Sequence, residues 1–269
     1  MDKQVVSIDV GTSKVKVIKY KDQRHYYEEY SREDVAGIVE QAMETDYDAI
    51  LLTGSGASEI EGDLYIYQEC HIPIYRLNEL ECVANIVKAE GHNEGLVINI
   101  GTGTSFLYYK DGNFQHVTGT GIGGGTFEGL SYRLLHTKDP VLVETLAKKG
   151  SIEEINLVIK DIYSENLGWL QDDITVANFA KNGQESADIA LGIHSVVIEP
   201  IMSMVKAFCH FHNLSHIYFT GGVMNNSVIT ELVDKYAEFF NINYRLLDKP
   251  SYGTARGALE VFWRDIDVK

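Results

Sequence analysis

Little in this sequence could hold the fold together covalently, anchor it in a membrane or attach it to a polyanion. It has three cysteines, Cys70, Cys82 and Cys209, widely spaced and without a CxxC pair. That pattern excludes a zinc ribbon and an iron–sulfur centre and reads as reduced thiols of a cytosolic protein. The opening MDKQVVSIDVG lacks the apolar run of a signal peptide. No apolar stretch nears the roughly 18 residues that cross a bilayer, so the expectation is a soluble, cytoplasmic chain. Positive charge is scarce: 23 Lys and Arg against 39 Asp and Glu give a net charge of −16. Nucleic acid and anionic membrane are therefore poor partners. A bound nucleotide would need local lysines or a divalent cation. Linkers, low-complexity tracts and long charge blocks are also missing.

What is present is an alternation of short apolar runs and helical patterns over 269 residues, 45% of them hydrophobic. Strand patterns fall at 5–9, 15–18, 49–53, 72–75, 96–100, 106–109, 217–220 and 244–247. Helical patterns fall at 33–44, after Asn78, from Thr126, over 140–163 with a break at Gly150, over 187–212, from Ser227 and over 254–265. Asn78 with Glu81 three residues on forms a capping-box pattern. Strands alternating with helices predict an α/β architecture. One unit occurs twice. A strand runs into a Gly/hydroxyl turn and out into a second strand at 5–18 and again at 96–109. The duplication predicts two related domains facing across a cleft, divided at 1–94 and 95–269.

The first turn, Asp9-Val10-Gly11-Thr12-Ser13-Lys14, suits a phosphate. Glycine lets the backbone approach closely, and exposed N–H groups with the Thr12 and Ser13 hydroxyls can hold phosphate oxygens. Lys14 or Lys16 can add charge, and Asp9 at the strand end can position Mg²⁺. The second turn, Asn99-Ile100-Gly101-Thr102-Gly103-Thr104-Ser105, repeats this chemistry, and two such turns are what the jaws around a triphosphate need. Gly119-Thr120-Gly121-Ile122-Gly123-Gly124-Gly125-Thr126 places bare backbone at a positive helix end. It does not sit in a strand–turn–helix setting that would suit NAD. Phe219-Thr220-Gly221-Gly222-Val223-Met224-Asn225-Asn226 can accept a flat base and ribose. Cys209-His210-Phe211-His212 looks metal-like, but His210 and His212 lie on different helical faces and read as structural.

In this order the elements resemble the acetate and sugar kinase/actin superfamily. Asn78–Cys82, Asn99–Ser105 and Val117–Phe127 are similar to type II pantothenate kinases, as are Lys160–Tyr163 and Gly253–Leu259. The resemblance spans nearly the whole chain. It implies a two-domain, actin-like (ribonuclease H-like) α/β fold with duplicated β-hairpin phosphate turns flanking a central cleft. It also implies ATP- and Mg²⁺-dependent phosphorylation of pantothenate, the first step towards coenzyme A. Carried onto this chain, Glu79 is the general base. The nucleotide contacts are Asp9, Gly11, Thr12, Ser13, Lys14, Lys16, Thr102, Gly124, Gly125, Thr126, Phe127, Gly221 and Gly222. The substrate contacts are Thr104, Ser105, His116 and Gly119. The family is dimeric through a long helix, here about 187–212. Two positions depart from its pattern: His116 replaces an arginine that pairs with the pantothenate carboxylate, and Pro140 replaces a tyrosine of the nucleotide site. A same-fold kinase of another hydroxylated metabolite, or a regulatory ATPase or pseudokinase, remains open at this point.

Overall fold

The computed structural model describes residues 3–57, 71–163, 171–212, 214 and 216–267. Cys70 lies outside them. In chain order the elements begin with β1 (Val5–Val10), β2 (Lys14–Lys21), β3 (Arg24–Ser31), α1 (Val35–Glu44), β4 (Ala49–Thr53) and β5 (Ile74–Arg76). Next come α2 (Glu79–Ala84), α3 (Ile86–Ala89), β6 (Glu94–Ile100), β7 (Thr104–Lys110), β8 (Asn113–Thr120), α4 (Gly124–Leu135) and α5 (Pro140–Ala147). Then follow α6 (Ile152–Ile155), β9 (Leu157–Val158), α7 (Ile159–Ile162), β10 (Thr175–Ala177) and α8 (Ser186–His212). The chain closes with β11 (Ile217–Thr220), α9 (Ser227–Phe240), β12 (Arg245–Leu246) and α10 (Gly253–Asp267).

Two five-stranded sheets carry the fold, with orders β3-β2-β1-β4-β5 and β8-β7-β6-β11-β12. Each has three antiparallel strands followed by two parallel ones. The sheets are thus copies of one topology. In both, the innermost strand is a buried apolar run, VVSIDV in β1 and EGLVINI in β6, as a strand covered on both faces requires.

The covering layers place the site. One face of the first sheet packs on α1 through Ile38, Val39 and Ala42. Its other face packs on α10 through Ala255, Ala258, Leu259 and Phe262, joined by Cys82 of α2. The second sheet is covered on one side by α8 and α9. On the other it meets Val83, Ala84, Ile86 and Val87 of α2 and α3. The α2 helix therefore lies between the two sheets and touches both.

Helix α10 comes from the end of the chain but completes the first half. Ser7 Oγ donates to Ala255 O at 2.8 Å across 248 positions. Its closest approach is to α2, where a Cβ added at Gly257 would sit 1.7 Å from Cys82 O. Only glycine permits that crossing. We predict that Gly257→Ala destabilises the protein by at least about 2–3 kcal/mol, as overpacked sites do, read as a lowered thermal midpoint. An unchanged midpoint would show that the crossing relaxes freely.

Two expectations need correction. Helix α8 is long and apolar enough to cross a membrane by composition, contrary to the reading of the bare sequence. However, 61% of its most apolar window is buried in the protein, as befits the core helix against the second sheet. The Asn78–Glu81 box is half formed. Asn78 Oδ1 accepts from Glu81 N at 3.1 Å, but the Glu81 carboxylate turns to Arg264 of α10 at 2.9 Å.

Candidate active site

A cavity of about 780 Å³ opens between the sheets, within the usual range for small-molecule sites. Each of the four Gly-containing segments contributes to its walls. The β1–β2 turn brings Gly11, Thr12, Ser13 and Lys14, and the β6–β7 turn brings Thr102, Thr104 and Ser105. Gly124, Gly125 and Phe127 come from the start of α4, Gly119 from the end of β8, and Gly221 and Gly222 from the end of β11. The tips of the two hairpins meet: Thr12 Oγ1 and Thr102 Oγ1 are 2.5 Å apart, a hydroxyl contact between the jaws.

Glu79 is the first residue of α2 and is half-buried on the cavity wall. Asp9 lies next to the end of β1, is buried, and stands opposite Lys16 in the hairpin register. Burial raises the Asp9 carboxyl to about 7; Lys16 lowers it and Glu79 raises it. Burial likewise raises the Glu79 carboxyl, against the pull of Lys16. Lys16 thus sits between two carboxylates and has no ion-pair partner among the described residues. Lys14 and Lys138 also line the cavity but are paired, Lys14 with Glu29 and Lys138 with Glu128, each at 2.7 Å. The described residues hold no group of three or more His, Cys, Asp or Glu fit to cage a metal. A lone buried carboxylate beside hydroxyl-rich turns nevertheless fits Mg²⁺, which fills its shell with phosphate oxygens and water.

Four of the anticipated contacts behave differently. The Gly124 and Gly125 amides are not free phosphate donors. They donate to Gly101 O and Thr102 O, both at 2.8 Å, so the glycine run docks on the second turn. Thr126 does not line the cavity, because its hydroxyl donates to Gly121 O at 2.9 Å within its own loop. His116 is also outside the lining; it lies exposed on β8 beside Gly119, at the rim. The remaining anticipated residues all line the cavity. Gly221 has φ +102° and an added Cβ would meet Ile100 O at 2.3 Å, so that turn demands glycine.

Sequence reasoning passed over Arg32. Its guanidinium donates to the carbonyls of Gly11 and Thr12, each at 3.2 Å, and so grips the first turn. Nothing in the local sequence signals this, because the contact is made 20 residues away. We predict that Arg32→Ala weakens nucleotide binding about tenfold, the scale of charged hydrogen bonds to a backbone, with kcat little changed. A nucleotide titration checks it; unaltered affinity would remove Arg32 from the site.

Cys82 is not a reactive thiol. It is fully buried, accepts from Thr53 Oγ1 at 3.6 Å, and burial pushes it up to about 12. His212 stacks on Phe208, and His210 lies against the exposed Phe211.

The comparisons with known proteins agree with this arrangement. The family model described as Fumble matches residues 58–245. The chain is 26% identical to a type II pantothenate kinase of Staphylococcus epidermidis, covering 94% of this chain and 98% of that one. It is 29% identical to that of Bacillus anthracis over 94% and 96%. It is 32% identical to that of a Bacillus cereus strain over 69% and 72%. Among solved structures it is similar to component A of (R)-2-hydroxyglutaryl-CoA dehydratase from Acidaminococcus fermentans, with TM-score 0.60, 20% identity and 96% of both chains covered. It is also similar to a ROK hexokinase from Thermus thermophilus, with TM-score 0.59, 12% identity and 99% and 100% covered. These likenesses show the two-domain actin-like fold. The chain belongs to the Fumble family, that of the type II pantothenate kinases.

Proposed function

We propose that this protein transfers the γ-phosphoryl group of ATP to the primary hydroxyl of pantothenate, giving 4′-phosphopantothenate and ADP. The observation that carries this reading is the convergence of both Gly/hydroxyl turns and Glu79 on one cavity. The hydroxyl oxygen forms its bond to the γ-phosphorus as the bond to the β–γ bridging oxygen breaks. Glu79 takes the hydroxyl proton. Gly11, Thr12, Ser13 and Thr102 hold the phosphates, with Lys16 and Lys14 supplying positive charge. Asp9 would hold Mg²⁺, which would supply positive charge against the phosphate oxygens. Phe127, Gly221 and Gly222 face the nucleoside, backed by the docked Gly124–Thr126 loop. Thr104, Ser105 and Gly119 bind the acceptor, and His116 meets it at the rim.

His116 also favours a second acceptor. A rim histidine lacks the bidentate fork that an arginine offers a carboxylate. Pantetheine, which carries an amide in place of that carboxylate, is therefore a fitting substrate of the same site.

The division of the chain at 94/95 is supported by the two sheets, with α10 crossing back. A cytoplasmic homodimer completes the proposal. It places the long helix α8 at the subunit contact, and the apolar side chains of Tyr132, Leu134, Val141 and Leu142, exposed on the α4 and α5 helices that pack on α8, support an apolar contact there.

The test is ADP release from purified protein with Mg-ATP and, in turn, pantothenate, pantetheine and N-acetyl sugars. Turnover with pantothenate or pantetheine supports the reading. Turnover with the sugars alone would replace the acceptor, and none with any acceptor would leave a nucleotide-binding protein without transferase activity.

A further inference from the structure

The two halves repeat more than their sheets. In each, the outer parallel strand leads into a helix whose first turn borders the cavity. β5 leads into α2, and β12, through a tight turn at Pro250–Tyr252, leads into α10. The entries match: Leu77 N donates to Leu52 O at 2.9 Å, and Leu247 N to Phe219 O at 3.2 Å. The first turn of α2 offers Glu79 to the cavity, and the first turn of α10 offers Thr254. Glu79 is the base of the proposed reaction, and its counterpart has no assigned part in it.

Thr254 is only 7% exposed, and its hydroxyl has no hydrogen-bond partner among the described residues. Among those residues the one side-chain polar atom sealed in without a partner is Ser131 Oγ. The Thr254 hydroxyl therefore opens into the cavity that its residue lines, free to donate to an occupant.

Its place says which part of the occupant it meets. Ser7 and Asp9 share one face of β1, and Ser7 Oγ donates to Ala255 O at 2.8 Å. β1 runs towards the cavity and α10 away from it, so Thr254, just before Ala255, stands at the Asp9 end of β1. This is the positive end of α10, which favours negative charge. The proposed acceptor contacts Thr104, Ser105 and Gly119 belong to the other sheet. Between the first phosphate turn and Glu79 lies the path of the transferred group.

We infer that Thr254 contacts the phosphoryl group in transfer, its hydroxyl donating to a non-bridging γ-oxygen. The inference rests on the phosphotransferase reading and adds to it a contact that ATP makes and ADP cannot.

Calorimetric binding of ADP and of the β,γ-imido analogue of ATP to the full-length protein tests it, with Mg²⁺ and again with EDTA. Thr254→Val keeps the shape and loses the donor. It should weaken the ATP analogue about tenfold, the scale of a hydrogen bond to a charged group, and leave ADP unchanged in both media. Thr254→Ser should bind both nucleotides as the parent does. Unchanged affinity of folded Thr254→Val for the analogue overturns the inference, as does an equal loss of ADP. A loss that vanishes in EDTA overturns it too, since the hydroxyl would then serve the metal's water. If Thr254→Val does not fold, Thr254→Ala against Thr254→Ser decides by the same readings. Failure of the unaltered protein to bind either nucleotide would instead overturn the phosphotransferase reading itself.

Discussion

Replacing Glu79 with glutamine is expected to lower kcat by about 10²–10⁴-fold, the span of general-base help, while KM for ATP changes little. Glutamine keeps the size and cannot take a proton. Position supports the role: Glu79 starts a helix wedged between both sheets and faces the cavity that the phosphate turns share. The pH profile gives a second readout. A base works ionised, and burial raises the Glu79 carboxyl. The rate should therefore fall on the acid side through a limb lying above the ordinary carboxylate range, and that limb should be absent in the variant. Steady-state rates across pH check both points. Normal turnover by Glu79→Gln would move the base elsewhere.

Asp9→Asn should act in opposite directions on activity and stability. The Asp9 carboxyl is held at about 7 chiefly by burial, against about 4 for an exposed group. Between those values the folded protein keeps a proton that the unfolded chain has released. Stability of the nucleotide-free protein is thus fully present at low pH and is lost as pH rises through about 7. Asparagine removes the buried charge, so at alkaline pH the variant should be more stable by roughly 2–4 kcal/mol. Its thermal midpoint should rise by several degrees and lose that part of its pH dependence. Activity should fall about 10²-fold or more, because the negative charge proposed to hold Mg²⁺ is gone. A variant less stable than the parent at alkaline pH would show that the carboxylate is stabilised by partners rather than strained by burial.

The site was more legible in the sequence than its supports. Both phosphate turns, the Gly221–Gly222 turn and Glu79 are announced locally, by glycine and hydroxyls at strand ends or by a helix-capping asparagine. Arg32 and Gly257 are not. Each acts on a partner distant in the chain, and no local pattern encodes that distance. The glycine run at 119–125 hides a contact for the same reason: its composition suggests bare backbone, and only the packing shows the Gly124 and Gly125 amides donating to Gly101 O and Thr102 O. Among the elements, the buried strands β1, β4, β6 and β11 are plain apolar runs. β3 passes unnoticed because RHYYEEYS is a half-exposed strand without clean alternation. Its turn also lacks glycine, with Asp22 and Gln23 both taking positive φ. The break between α2 and α3 is likewise silent. Asn85 turns its amide back to Glu81 O at 2.8 Å, while the apolar spacing runs on undisturbed.

The return of α10 to the first sheet has a consequence for synthesis. The ribosome releases β1 to β5 early, yet Ala255, Ala258, Leu259 and Phe262 cover one face of that sheet. Until they emerge, Val5, Ile18 and Leu51 have no cover from α10 on that face. The first half therefore waits for α10 before its core can close, and the two halves mature together once α10 has emerged rather than one after the other. A chain arrested before Gly253 would hold an open sheet, a natural target for chaperones.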